Sequence, residues 1–277
     1  MSLHDKLVSR LQDAGFTPIS TQLAGFARES IRMRGTPAPC ESIRSAASKL
    51  GGLPDLPPHA EWPRWKTGYL QFVAQVNLAE LPPNDLLPHT GLLSFFYDRE
   101  QSAWGFDPNH RDGFRLWYFP DTTNLVRASK PDSSAFPCVR LSFELFLSLP
   151  DSSAEQVSDL LLELEDSEKY VEFIEEHVGP APEHWLFGWP HIIQNQMELQ
   201  CQLVTNGLYT GNATGYGDPR RKELEPGAAD WTLLLQIDSD DNARMMWGDV
   251  GRLYVWIRHQ DLHSRNFDKA WTILQCY

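Results

Sequence analysis

Residues 70–77 read Leu-Gln-Phe-Val-Ala-Gln-Val-Asn, and residues 231–238 read Trp-Thr-Leu-Leu-Leu-Gln-Ile-Asp. Each run sets one glutamine, Gln75 or Gln236, in an apolar strand-like stretch, followed by a β-branched residue and then Asn or Asp. Gly91-Leu-Leu-Ser-Phe-Phe-Tyr-Asp98 begins sixteen residues after Gln75, and Gly251-Arg-Leu-Tyr-Val-Trp-Ile-Arg258 begins fifteen after Gln236. A strand–loop–glycine–strand unit that recurs at nearly constant spacing marks an internal duplication. Further upstream, Leu50-Gly-Gly-Leu-Pro54 matches Leu186-Phe-Gly-Trp-Pro190. The gap to the glutamine is 23 residues from Gly52 but 48 from Gly188, so the second half carries an insertion over 192–219. Insertions into repeats are where binding surfaces develop.

The remaining pattern fills in around these runs. Leu3, Leu7 and Leu11, with Val8 beside them, predict an amphipathic helix ended by Gly15 and Pro18. Ala27–Met33 alternates weakly, as a short strand would, and residues 35–65 are broken by glycines and prolines. Strands are expected at 69–78, 91–98, 114–119, 138–146, 231–238, 251–258 and 270–277, with a loop at 124–137. Asp151-Ser-Ser caps a helix whose apolar face is Val157, Leu160, Leu161 and Leu164. A second helix follows Asp166-Ser167, with Tyr170, Val171, Phe173, Ile174 and Val178 inward, and Gly179-Pro180 stops it. Residues 192–204 start as a helix, and 207–219 form a Gly-rich loop. The fold class is α+β: an internally duplicated, antiparallel-rich sheet with an amphipathic N-terminal helix and an acidic helical linker. One domain is expected over 1–277, with halves at about 45–149 and 180–277 joined by the acidic helices 151–178.

Charge and cysteines bound the function. The formal net charge of −13 argues against direct nucleic-acid binding or attachment to an anionic membrane. Residues 151–178 hold ten acidic side chains against Lys169 alone, and so carry most of that charge. No apolar run is long enough to span a membrane, and Met-Ser-Leu-His-Asp-Lys-Leu-Val-Ser-Arg lacks the layout of a secretion signal. Cys40, Cys138, Cys201 and Cys276 are scattered, with no C-x-x-C pair, and read as buried thiols in a reducing compartment. The cytoplasm is the expected location.

Candidate chemistry is sparse. A buried carboxamide needs partners, so Gln75 and Gln236 either line a cleft between the halves or tie loops to the sheet. Asp238, Trp247 and Asp249 join them as cleft candidates. Asp238-Ser-Asp-Asp-Asn242 has the alternation of a calcium loop, but Ala243 stands where the sharp turn needs glycine and Asp249 where a bidentate Glu is usual; a polar hairpin tip is the plainer reading. His259 and His263 are spaced i, i+4 without H-E-x-x-H, while His184 and His191 bracket the Phe-Gly-Trp-Pro turn, which one of them could orient. No metal or other cofactor is expected. Gly207–Asp218, followed by Arg220, Arg221 and Lys222, is not a phosphate-binding P-loop. Tyr209 and Tyr216 beside Arg220 and Arg221 form the best aromatic patch for a protein partner. No G-x-S-x-G elbow or nucleophilic cysteine context is present, so no catalytic residue is named. The acidic helices are either a solvated face or, through Glu163, Glu172 and Glu175, a surface for a basic partner.

The chain resembles the YwqG-like family of bacterial proteins of unknown function. The resemblance rests on Ser48-Lys-Leu-Gly-Gly-Leu-Pro-Asp-Leu-Pro57, Trp62-Pro63, Gln71–Leu81, Leu87-Pro88, Gly91–Asp98 and Trp104-Gly-Phe-Asp-Pro108, and continues through His184–Pro190 with Gln194, Trp231–Asp238, Trp247–Gly251 and Phe267–Tyr277. It spans roughly 45–277 and implies a mixed α+β fold with a pseudo-repeated sheet and no settled activity. Some members resemble immunity partners of secreted bacterial toxins. The expected function is thus a non-enzymatic protein-binding module, an immunity protein against a basic or nuclease-type toxin. The alternative is a small-molecule-binding protein or enzyme with a cleft between the two halves.

Overall fold

The computed structural model describes residues 1–129, 135–164 and 167–277, with the side chains of Glu163 and Leu164 outside that description. The strands are β1 (Arg28–Pro37), β2 (Lys49–Leu50), β3 (Asp55–Leu56), β4 (Arg64–Trp65), β5 (Gly68–Tyr69), β6 (Gln71–Asn77) and β7 (Leu92–Tyr97). They continue with β8 (Phe114–Phe119), β9 (Val126–Arg127), β10 (Val139–Ser148), β11 (His184–Leu186), β12 (Trp231–Asp238), β13 (Arg252–Arg258) and β14 (Trp271–Gln275). The helices are α1 (Leu3–Asp13), α2 (Ser20–Gly25), α3 (Glu155–Leu164), α4 (Ser167–Val178), α5 (Glu198–Thr205), α6 (Ala213–Tyr216), α7 (Arg221–Leu224) and α8 (His259–His263).

Ten strands form one sheet in the order β14-β13-β12-β11-β1-β10-β2-β6-β7-β8, with every neighbour antiparallel. A large antiparallel sheet with several helices is an α+β architecture. At its centre β1 pairs with β10 from Arg28↔Ser148 to Pro37↔Val139. On either side the same succession appears: a short strand (β11 or β2), a glutamine strand (β12 or β6) and the strand after the glycine (β13 or β7). The glutamine strands share a further detail. The register with the following strand shifts between Phe72 and Ala74 in one and between Leu233 and Leu235 in the other, two residues before each glutamine.

The sheet curls until its two ends meet. Phe114 of edge strand β8 packs edge-to-face on Trp271 of edge strand β14, with ring centroids 5.2 Å apart, and Tyr97 meets Trp247 at 5.8 Å. Ala74, Val76, Leu93 and Phe95 of the first half face Leu186, Leu234 and Leu235 of the second across the interior. These residues belong to one continuous buried cluster.

α1 and α4 lie over the middle of the sheet, while α5 packs on β12 and α8 on β13. Ser2 and Asp5 form a capping box on α1, which buries Leu7 and Leu11. Arg10 of α1 reaches His177 of α4 at 2.8 Å, and Phe16 packs on Tyr170 and Phe173. On α3 Val157 and Leu161 are buried and Leu160 is half-buried; Leu164 lies outside the described side chains, as Asp166 lies outside the described residues. Val171, expected to face inward, is instead exposed, because α4 turns Tyr170, Phe173, Ile174 and Val178 to the core. Asp151 Oδ1 accepts from the Ser153 N–H and Oγ ahead of α3.

Three expectations are corrected. The short strand at 27–33 is the ten-residue β1, in the middle of the sheet. Its Ile31 and Met33 are buried, while Arg28 and Arg32 stack on Trp189 and Phe146 at 3.5 and 4.3 Å. The helix expected from residue 192 begins at Glu198, because the Ile193 and Gln194 N–H groups donate to Gln275 Oε1 rather than entering a helical ladder. Finally, not all four cysteines are free. Cys40 and Cys138 form a disulfide with their Cα atoms 5.3 Å apart, which leaves Cys201 and Cys276 as buried thiols. The partners are 98 residues apart in sequence, and meet because the chain after β1 returns alongside the start of β10. The expected loop at 124–137 lies partly outside the described residues; within it Val126–Arg127 pairs with Asp55–Leu56 as β9 on β3.

Candidate functional site

Each glutamine is fully buried and is hydrogen-bonded at both its oxygen and its nitrogen within its own half. Gln75 Oε1 accepts the Asp55 N–H (2.9 Å), and its Nε2 donates to the Ala47 carbonyl (2.7 Å) and Asp55 Oδ2 (2.6 Å). Gln236 Oε1 accepts the His191 N–H (3.0 Å), and its Nε2 donates to the Glu183 carbonyl (2.9 Å). Between those two anchor points each chain makes the same reversal. Gly51 and Gly52 in the first half, and Phe187 and Gly188 in the second, all adopt positive φ. The first N–H of each reversal bonds the carbonyl of the irregular residue, Val73 or Leu234. A side chain at Gly188 would collide with Ser30 and Ser148, whose hydroxyls bond each other at 2.8 Å, so both space and φ require glycine there.

The cleft expectation for the glutamines therefore does not describe this fold. β11, β1, β10 and β2 lie between β12 and β6. Side chains alternate along a strand, so Ala74, Val76 and Leu235 take the face where the halves meet, and Gln75 and Gln236 point away from it, under their own loops. Trp247 is buried, with its Nε1 donating to the Asp238 carbonyl at 3.1 Å. Asp249 is exposed, and its carbonyl accepts the Tyr277 N–H.

Buried charges support both loops. In the first half Lys49 Nζ lies 2.9 Å from Asp55 Oδ2, and Arg127 Nε lies 2.7 Å from Oδ1. Burial pushes the Lys49 ammonium down to about 8, so it still carries its proton at neutral pH. Burial alone would raise Asp55, but the Arg127 hydrogen bond and the Lys49 charge hold it below the ordinary carboxylate value. In the second half Arg252 bonds Asp238 Oδ1 and Glu183 Oε2, each at 3.0 Å, as well as the His191 carbonyl at 2.9 Å. Against its burial, Glu183, Tyr254 and Asp238 raise the Arg252 guanidinium above its usual value.

These contacts decide two metal readings. Asp238 is occupied by Arg252 and the Glu183 N–H, while Asp240 lies 3.3 Å from His184 Nε2. His184 Nδ1 accepts the Asp238 N–H, so the proton is assigned to Nε2. The hairpin tip thus turns these two carboxylates onto protein donors and away from a calcium position. Elsewhere Glu175, Glu183 and His191 cluster, with His191 Nδ1 2.5 Å from Glu183 and Nε2 3.2 Å from Glu175. The Glu183 oxygen that meets Nδ1 also pairs with Arg252, and even with all three residues the cluster offers fewer than the four ligands of a tetrahedral site.

A groove of about 970 Å3 lies where the halves meet, walled by the insertion. We term residues 192–196 with Leu199 and Gln200 one wall, residues 210–213 with Tyr216 the other, and Trp104, Phe106 and Ile273–Gln275 the floor. Gln275 holds the first wall through the Ile193 and Gln194 N–H groups and the Asn195 carbonyl. Thr210 holds the second, donating to the Phe106 carbonyl from both its N–H and its hydroxyl. Gly105 lies flat on β14, with φ +89° and the Thr272 carbonyl where a Cβ would stand.

Of the residues expected to meet a partner, Tyr216 lines this groove, and Tyr209 stacks edge-to-face on Phe106 at 5.5 Å. Arg220 is paired with Asp218, and Arg221 with Glu225, both on the surface. Glu172 and Glu175 are exposed on α4, and the side chain of Glu163 lies outside the description. The tyrosine loop and the acidic helices are separate surfaces except where Asp151 and Ser153, ahead of α3, touch the groove. The amide run Gln194-Asn-Gln196, with Gln200 a turn further on, was the available sequence signal for the groove.

A family model described as Domain of unknown function (DUF1963) matches residues 48–276. The chain belongs to this family. A search of curated proteins found no match. The DUF1963 match covers the reversals, the glutamine strands and the groove, but begins after α1 and β1.

Proposed function

We propose that this DUF1963 protein, which we read as YwqG-like, is a non-enzymatic protein-binding module built from two copies of one ancestral unit within a single domain. The repeated loop reversals, glutamine bonds and strand irregularities support the duplication. The observation that carries the binding reading is the outer face of α3 and α4. Leu162 and Val171 are 70% and 45% exposed there, among the exposed carboxylates Glu155, Asp159, Glu168, Glu172 and Glu175. Apolar anchors inside a field of one sign suit a basic protein partner, steering encounter and then burying the anchors. An immunity protein that covers a basic, nuclease-type toxin fits this surface. Affinity capture from native lysate, with the neighbouring open reading frames expressed, is expected to recover one stoichiometric basic partner. Glu168→Lys with Glu172→Lys should lose it. Absence of a stoichiometric partner, or unchanged capture by the double variant, would overturn the reading.

A second reading, a small-molecule binding protein, is favoured by the groove at the junction of the halves, with its walls fixed in advance by Gln275 and Thr210.

A further inference from the structure

The geometry points to the groove as a binding site for a neutral saccharide, an inference that rests on the small-molecule reading just given and names its ligand class. The argument begins with charge. In a chain where 22% of residues are charged, Asp151 is the one charged residue on the groove lining among the described residues, and its Oδ1 is already engaged by Ser153. A phosphate or carboxylate ligand would enter without a cationic partner, and a desolvated unpaired charge is costly.

Half of the lining surface is nonetheless polar. Asn195, Gln196 and Gln200 face the groove, and their side chains make no hydrogen bond among the described residues. A carboxamide presents two donors and an acceptor in one plane. Neighbouring hydroxyls, each able to donate and accept, satisfy that set without leaving an orphan. An apolar ligand would strand the amides against dry surface, at about 1–3 kcal/mol for each buried unpaired group.

Aromatic rings complete the match. Trp104 and Phe106 come from the floor and Tyr216 from the 210–216 wall. The face of an aromatic ring is the negative lobe of its quadrupole, and suits the polarised C–H face of a sugar ring. A peptide is the competing occupant. Strand addition is the usual way an open sheet edge takes a peptide, but the Leu274 N–H of β14 is already spent on the Trp104 carbonyl, and Gly105 lies against Thr272. The volume of about 970 Å3 is at the upper end of the range of about 300–1,000 Å3 common for ligand pockets, which leaves room for more than one ring.

The test is a titration of the full chain with maltotriose, cellotriose and triacetylchitotriose, beside glucose 6-phosphate and trialanine. Calorimetry reads affinity, and NMR reads the side-chain NH2 signals of Asn195 and Gln200. At least one neutral trisaccharide is expected to bind saturably, and glucose 6-phosphate at least tenfold more weakly. Asn195→Ala and Gln200→Ala are each expected to weaken that saccharide about fivefold, the equivalent of about 1 kcal/mol for one hydrogen bond. Both side chains lack internal partners, so the variants should keep the wild-type melting temperature. Trialanine binding with no saccharide response would overturn the saccharide inference and leave the small-molecule reading standing. No response to any probe would overturn both, whereas saccharide binding indifferent to both substitutions would overturn the groove as its site and leave the small-molecule reading standing.

Discussion

Gln75 and Gln236 hold the same pair of backbone groups in equivalent places: one N–H just beyond a proline and one carbonyl just ahead of a short strand. Each carboxamide closes a loop that leaves the sheet and must return to it. Replacing either by Leu strands both groups, so Gln75→Leu and Gln236→Leu should each cost about 1–3 kcal/mol. Four strands intervene, so the double variant should equal the sum within about 0.5 kcal/mol in urea unfolding. Strong non-additivity would mean that the two side chains share a site.

Asp55 is the hub of the first buried network, accepting from Lys49, Arg127, Gln75 and the Ala46 N–H. Asp55→Ala leaves Lys49 buried without a counter-charge and should cost about 3–5 kcal/mol. Lys49→Met leaves Asp55 with Arg127 and Gln75, and should cost less than half as much. Chemical denaturation of both variants checks the order; the reverse order would place the weight of the network on the lysine.

The pH dependence has two limbs. Asp55 and Asp240 sit below the ordinary carboxylate value when folded, so the unfolded chain binds protons first as pH falls. Their stabilisation is complete above the unfolded value of about 4 and is lost as pH drops through the folded values. Asp240→Asn should flatten that acid limb. Lys49 is pushed down to about 8, so from there up to about 10.5 the unfolded state holds the extra proton, and stability rises with pH. Urea midpoints of wild type and Lys49→Met across that window should diverge in favour of wild type.

The Cys40–Cys138 bridge closes a long loop, and its removal by Cys40→Ser should lower stability by about 2–4 kcal/mol under oxidising conditions. Peptide mapping without reductant should find Cys40 linked to Cys138, with Cys201 and Cys276 alkylated only after unfolding. Equal stability of wild type with and without reductant would show that the bridge contributes nothing.

Much of the sheet was legible because its outer strands are plain. Trp231–Asp238 and Leu92–Tyr97 are nearly continuous apolar runs, and a glycine precedes each second strand. β1 was nearly illegible because one of its faces is built from arginines stacked on aromatic rings, so it lacks the apolar alternation of a central strand. Lys49 could not be read as buried, since its burial depends on Asp55 and on Arg127, 72 residues beyond Asp55. The groove escaped for a similar reason. Its insertion walls were singled out, but its floor comes from Trp104, Phe106 and β14, which only the curl of the sheet brings together. Val171 misled because a helix tolerates one apolar residue outside its buried stripe.

The hydroxyl contact between Ser30 and Ser148 joins residues 118 apart in the chain, at the heart of the sheet. On a ribosome adding about 5–20 residues per second, β1 would wait roughly 6–24 s for its first partner, and longer for β11. Among the strands of the large sheet, β2, β6, β7 and β8 are neighbours in sequence as well as in space and can pair as they emerge, but β1 cannot. Until β10 is made, β1 has neither of its neighbours, and its Ile31 and Met33 stay uncovered, which makes that strand a natural segment for a holding chaperone to bind during synthesis.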